Sequence, residues 1–163
     1  MTNIRITEEP QQWTAGVRER VPATGLTEFF SRAFRDTMSV LQSQNIRPLG
    51  APFAKYYGSP TDTIDVEAGF PVALPIIATG DVKSGTLPAG KVIEAFHTGP
   101  YDTLEETYAE IERYMSSANL APAAVMWEHY LTDPEAEPDP RRWLTRVCWP
   151  FVPSDAATEA EDK

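Results

Sequence analysis

The sequence predicts an α+β domain: an antiparallel sheet with two helices on one face, built from a strand-helix-strand-strand module used twice. Three observations lead there. Two segments carry helical periodicity, the residues around each follow the same order, and neither half alone can cover its own apolar helix face.

The first helix shows in Leu26, Phe29, Phe30, Ala33, Phe34, Met38 and Leu41, whose three-then-four spacing places them on one side. Leu104, Tyr108, Ile111, Met115 and Ala118 do the same in the second, where Thr103 with Glu106 has the spacing of a capping box and Asp102 with Glu105 fits equally well. A strand is expected before each helix, T-A-G-V-R-E-R-V (14–21) and G-K-V-I-E-A-F-H (90–97). After each come a proline and two further strands. P-F-A-K-Y-Y-G and I-D-V-E-A-G-F-P-V follow the first helix, and V-M-W-E-H-Y-L and W-L-T-R-V-C-W-P-F the second. The repeats run over about 12–72 and 90–151, within a single domain of 1–153, and a rough twofold is expected to relate them. Residues 73–89, rich in Pro and Gly, form the connector, with a short strand expected near 76–82; residues 133–142 form a solvated hairpin loop.

A chain of 163 residues with 42% apolar content can bury a substantial core. It has no apolar run long enough for a membrane span and no signal-peptide layout at its start, and its single cysteine, Cys148, fits a cytoplasmic protein. The net charge of −10 argues against binding to nucleic-acid phosphates, although the acidic segment 154–163, read as a disordered tail, supplies part of it. His97, His129 and the acids lack metal-ligand spacing, and no phosphate loop or serine-histidine-aspartate pattern is present, so neither metal nor cofactor is expected.

One residue breaks the apolar pattern. Glu128 stands in the strand A-V-M-W-E-H-Y-L among aromatics, where an unpaired charge is costly to bury. Side chains alternate across a strand, so Met126, Glu128 and Tyr130 share one face and Trp127 takes the other. In the matching strand Ala54 stands where Glu128 does, and Tyr56 where Tyr130 does. With the helices on the opposite side, this face is expected to be a concave surface between the halves, with Glu128 among Tyr56, Tyr57 and Tyr130. Two plainer readings stay open: a carboxylate on a wet sheet face, or an ion pair with Arg146 or Lys55.

The stretches L-P-A-G-K-V (87–92), H-T-G-P-Y-D-T-L (97–104), W-E-H-Y-L-T-D-P (127–134) and P-D-P-R-R-W-L-T-R-V (138–147) occur in that order. With I-D-V-E-A-G-F-P-V (64–72), they resemble the GyrI-like, or AraC effector-binding, small-molecule-binding domain over nearly the whole chain. The resemblance implies an aromatic cleft between the halves for amphipathic, often cationic or planar organic molecules, with the acid of the W-E-x-Y strand, here Glu128, at its floor. Members are usually fused to a helix-turn-helix domain. No residues remain for one here, so a stand-alone form is expected.

The resemblance implies three roles for stand-alone members: sequestering toxins, antagonising DNA gyrase poisons or binding gyrase, and hydrolysing strained electrophiles such as cyclopropane-bearing DNA alkylators. The leading expectation is binding of a hydrophobic, cationic or planar small molecule at Glu128. Tyr56, Tyr57, Tyr101, Tyr130, Met126, Phe70, Trp149 and His97 are the candidate lining. The alternative is hydrolysis, in which Glu128 activates a water and Tyr56 or Tyr130 steadies the departing charge. A gyrase contact is the third reading, and a homodimer partner is left open.

Overall fold

The computed structural model describes residues 3–58 and 61–154, so most of the acidic tail expected over 154–163 lies outside the described residues. In chain order the elements are β1 (Asn3–Glu9), β2 (Gln12–Pro22), α1 (Leu26–Ser43), β3 (Phe53–Tyr57), β4 (Thr63–Pro71) and β5 (Lys83–Leu87), then β6 (Gly90–Thr98), α2 (Leu104–Ser117), β7 (Leu120–Pro122), β8 (Val125–Tyr130) and β9 (Leu144–Pro153). The fold is α+β, a curled antiparallel sheet with two helices on one face. Among the described residues no helix is long and apolar enough to cross a membrane.

The strands pair in the order β1-β6-β9-β8-β3-β4-β2-β5, with β7 added along the end of β9. Read outward from the central β3–β8 pair, each side gives the same succession: β3, β4, β2 in one half and β8, β9, β6 in the other. The sheet cannot be flat. Only Pro88 and Ala89 join β5 to β6, which stand six places apart in the order, so the sheet curls until those strands approach. Leu87 of β5 and Val92 of β6 accordingly share one cluster with Phe53, Trp127 and Cys148 inside the curl. Gly16 and Gly69 face each other across the β2–β4 ladder, and a Cβ on Gly69 would collide with the Ala15 carbonyl.

Both helices cover the outer, convex face. Phe29, Ala33, Thr37 and Leu41, four residues apart, are the buried side of α1 and meet Ala15, Val17, Val66 and Ala68. Each large apolar side chain buried in this way stabilises the fold by about 1.5–3 kcal/mol. Leu104, Thr107, Ile111 and Met115 are the buried side of α2, against Ile93, Ala95, Met126 and Val147. Each helix ends on an asparagine in the left-handed region, Asn45 (φ 57°) and Asn119 (φ 59°). At Asn45 the motif is complete, with Ile46 N–H donating to Leu41 O at 2.9 Å and Asn45 N–H to Gln42 O at 3.2 Å.

Four local expectations change. The connector strand falls at 83–87, and only an isolated Thr79–Val82 bridge lies in 76–82. Pairing with β2 decides this, since Gln12 to Gly16 need partners on their free side. β1 was not foreseen, because an edge strand alternating Ile with Arg, Thr and Glu reads as polar chain; its Arg5 and Glu9 pair with Glu94 and Arg146. The three-residue β7 was not foreseen either. At the start of α2, Thr103 forms no side-chain cap. Its hydroxyl donates to Pro100 O at 2.8 Å within a 3-10 turn, Tyr101–Thr103.

Candidate functional site

Glu128 lies near the middle of the sheet, directly opposite Ala54 in the β3–β8 ladder. Its face is the helix-covered one, and the carboxylate is 1% exposed. The concave surface expected to hold it is the other side of the sheet, lined by Trp127, Lys55 and Tyr57. Two cavities open on that inner side, of about 680 and 310 Å³, and Glu128 lines neither. Arg146 and Lys55, the ion-pair partners considered for it, also face inward. Arg146 binds Glu94 and Glu9, and Lys55 donates to Thr86 O.

What holds Glu128 is phenol. Tyr130 Oη donates to Oε1 at 2.8 Å, and Tyr108 Oη, from α2, donates to Oε2 in a short contact. Among the described residues no arginine, lysine or histidine nitrogen lies within 4.0 Å of this carboxylate. Burial therefore raises its pKa from 4.5 to about 7, against the opposing pull of the Tyr130 hydrogen bond. Burial, reinforced by the Glu128 charge, holds the Tyr130 and Tyr56 phenols well above their ordinary value. The phenols keep their protons near neutrality, and the carboxyl is the group that titrates.

Aromatic rings close over this arrangement. Tyr101 stands edge-on to Tyr130 with centroids 5.5 Å apart and lies 4.9 Å from Trp143. On the other side Phe30 meets Tyr130 at 6.3 Å and stacks on Phe34 at 5.9 Å, and Phe34 meets Phe70 at 5.8 Å. Trp149 packs edge-on against Tyr108 at 6.0 Å. Tyr101 owes its place to Gly99, whose φ of 138° turns the chain out of β6 and whose N–H donates to Trp143 O at 2.8 Å.

The structure therefore brings Tyr56, Tyr101, Met126, Tyr130 and Trp149 around Glu128, with Phe70 two rings removed from Tyr130. Tyr56 packs against the cores of both halves. Tyr57 is not with them. Its neighbour Tyr56 takes the outer face, so Tyr57 takes the inner one and donates to Glu67 Oε1 at 2.5 Å. His97 shares the outer face, but its ring nitrogens are engaged by Thr107 Oγ1 at 2.8 Å and by Thr103 Oγ1 and Pro100 O at 3.0 and 3.1 Å. The sequence reading missed Tyr108 as a partner of the acid, and Phe30 and Trp143 among the rings that close over it. Tyr108 carried a usable signal, because a tyrosine on a buried helix face needs a partner for its hydroxyl. Among the described residues no cluster of three or more His, Cys, Asp or Glu could hold a metal.

A family model described as the GyrI-like small molecule binding domain matches residues 2–152. A comparison with curated proteins finds no match. Solved structures add likeness of fold. The chain is similar to EcmrR in its complex with DNA (TM-score 0.79, 18% identity), covering 93% of this chain and 58% of that one. It thus spans a little over half the length of that relative. The isolated EcmrR C-terminal domain matches over 94% of this chain and 99% of its own length (TM-score 0.82, 17% identity). A hydrolase encoded by lin2189 from Listeria innocua matches over 91% of each chain (TM-score 0.64, 13% identity). SAV2435 bound to tetraphenylphosphonium matches over 92% of this chain and 94% of that one (TM-score 0.62, 13% identity). The match over residues 2–152 places the chain in the GyrI-like small-molecule-binding domain family.

Proposed function

We propose that this domain binds lipophilic organic cations at Glu128, as a multidrug- or toxin-sequestering protein of the cytoplasm. One observation carries the reading: a carboxylate 1% exposed, in the middle of an aromatic cluster, is held by two phenols and, among the described residues, by no cation. Phenol hydrogen bonds satisfy its oxygens but leave its charge uncompensated, and an organic cation supplies the missing charge while aromatic faces cover its hydrocarbon. Entry requires the cover to part. Tyr101 opens the 3-10 turn Tyr101–Thr103 and Trp143 lies between β8 and β9, both outside the strands, so they can turn aside without unpairing the sheet. The tetraphenylphosphonium bound to SAV2435, a protein of the same fold, is a ligand of this chemistry.

The test is titration with tetraphenylphosphonium and with neutral triphenylphosphine oxide. The wild type is expected to prefer the cation, and Glu128→Gln to lose that preference by tenfold or more. Equal affinity of the two proteins for the cation would sink the proposal. The ionised carboxylate is the binding form, and its pKa is about 7. Affinity should therefore fall about tenfold between pH 8 and pH 6.

A second reading, hydrolysis of strained electrophiles, draws on the same carboxyl. A pKa of about 7 suits a general base at neutral pH, and Tyr130 and Tyr108 can donate to charge developing on a leaving group. Turnover of a cyclopropane-bearing alkylator that Glu128→Gln abolishes while binding persists would support it. Binding without turnover would leave a sequestering protein.

A further inference from the structure

The inner face of the sheet carries one buried carboxylate in each half, and the two are treated differently. Glu94, in the second half, is 3% exposed and receives Arg5 Nε and Arg146 Nε, each at 2.6 Å; Arg146 also reaches Glu9. Its charge is fully matched. Glu67, in the first half, is 7% exposed and accepts one hydrogen bond, from the Tyr57 phenol, on Oε1. No described residue donates to its Oε2, and no described basic nitrogen lies within 4.0 Å.

Lys55 is directly opposite Glu67 in the β3–β4 ladder and on the same face, yet the pair does not close. The lysine, 8% exposed, instead reaches across the curl and donates to Thr86 O at 2.8 Å, with its ammonium 4.8 Å from the Tyr57 ring centroid. No carboxylate lies within 4.0 Å of it among the described residues, and burial holds its pKa below the ordinary lysine value. Two opposite charges are thus buried side by side, acting on each other through space but with no direct ion-pair contact, and such a gap is costly to leave unfilled.

They stand at the floor of the cavity of about 680 Å³. Arg18, doubly bonded to Asp65 at 3.0 and 2.8 Å and lying 3.5 Å over the Tyr57 ring, fixes that floor. Gly85 packs close against this floor, since a Cβ there would stand 2.6 Å from Glu67 Oε2 and 3.0 Å from the Thr14 hydroxyl, and any side chain would crowd the carboxylate. That hydroxyl, on a residue 1% exposed, has no hydrogen-bond partner among the described residues.

We infer that this groove is a second binding site, separate from Glu128, for a small zwitterion of the amino-acid kind, its carboxylate on Lys55 and its ammonium on Glu67. An amino acid carries both charges a few bonds apart, as two adjacent groups of opposite sign that do not bond each other require. A simple anion or cation would match only one of them.

The experiment measures the Tm of the protein with each standard amino acid at millimolar concentration, and with acetate plus methylammonium as the same charges unlinked. At least one amino acid is expected to raise the Tm by several degrees in the wild type and in Glu128→Gln, and to have no effect on Glu67→Gln or Lys55→Met. The Glu128→Gln arm separates this site from the one proposed above. The second readout keeps to the native chain, in case Lys55→Met does not fold. Of the four lysines, Lys55 should become less reactive toward acetic anhydride when the active amino acid is present, while Lys91 does not. The inference is overturned if no amino acid shifts the Tm or shields Lys55. It is equally overturned if unlinked acetate and methylammonium do as well, or if the shift survives in both groove variants.

Discussion

Replacing Glu128 with glutamine should stabilise the protein, and should do so only above a definite pH. The carboxyl titrates at about 7 in the fold against 4.5 in its ordinary state. At 1.36 kcal/mol per unit the difference is about 3 kcal/mol. The sign follows from proton counting. Between pH 4.5 and 7 the folded protein retains a proton that the unfolded chain has lost, so stability falls as pH rises through that window. Below it both states are protonated, above it both are ionised, and this group contributes no further slope. Glutamine keeps the shape and cannot ionise. Any strain from seating its amide between Tyr108 and Tyr130 is the same at every pH. Urea unfolding of both proteins from pH 5 to pH 8 isolates the effect, since all other groups titrate alike. The stability of Glu128→Gln relative to wild type should climb by about 2–3 kcal/mol across that range, most of the full effect, and most steeply near pH 6. A difference that stays constant from pH 5 to pH 8 would show the carboxylate to be well solvated or paired, and would remove the basis for cation binding as well.

Other consequences are as direct. Tyr108→Phe removes one of two donors from the carboxylate, so the midpoint of the pH dependence of tetraphenylphosphonium binding should rise by about one unit; an unmoved midpoint would mean that the α2 phenol does not matter to the charge. The Cys148 thiol is buried and pushed up to about 12, chiefly by burial. It should resist iodoacetamide at pH 8 in the native protein and react once urea unfolds it, as mass spectrometry can follow. Gly69→Ala sets a Cβ against the Ala15 carbonyl between β2 and β4, and should cost several kcal/mol or prevent folding, read as a loss of Tm or of soluble protein.

The modules were legible because each rests on a local pattern. Apolar spacing in 26–41 and 104–118 marked both helices, and the parallel stretches ending at Val72 and Phe151 marked the strands that pair in the centre and flanks of the sheet. Alternation also showed which residues travel with Glu128. What alternation cannot show is which face the helices take, and that was assigned the wrong way round. The apolar count on either side of β8 is similar, with Met126 and Tyr130 against Val125 and Trp127, so the strand alone gives no preference. Tyr57 was grouped with Tyr56 on aromatic character, although adjacent strand residues must part. Tyr108 was read as helix core, since its contact with Glu128 spans twenty positions and depends on the packing of α2 against the sheet. The curl was not foreseen because it follows from the short Pro88-Ala89 link between distant strands.

Both candidate sites descend from a single pairing register. In the β3–β8 ladder Ala54 opposes Glu128, Lys55 opposes Trp127, and Tyr56 opposes Met126. Even positions in both strands send the phenols and the acid outward beneath the helices, and odd positions send Lys55, Tyr57 and Trp127 into the curl. Ala54 matters for its size: the residue opposite Glu128 on the same face lies about 5 Å away, so a large side chain there would compete with the carboxyl for the space the phenols enclose. A slip of one residue would reverse every assignment, placing Glu128 inside the curl near Lys55 and turning Trp127 toward the helices. Nothing local to β3 forbids that slip. It is held off by the neighbouring ladders, β3 with β4 and β8 with β9, whose own faces are fixed by α1, α2 and the Arg146–Glu94 pair. The charge separation between the two faces is therefore a property of the whole sheet, and this is why an acid in the W-E-H-Y strand can stay without an ionic partner while Arg146 and Lys55 stand next to its ladder partners.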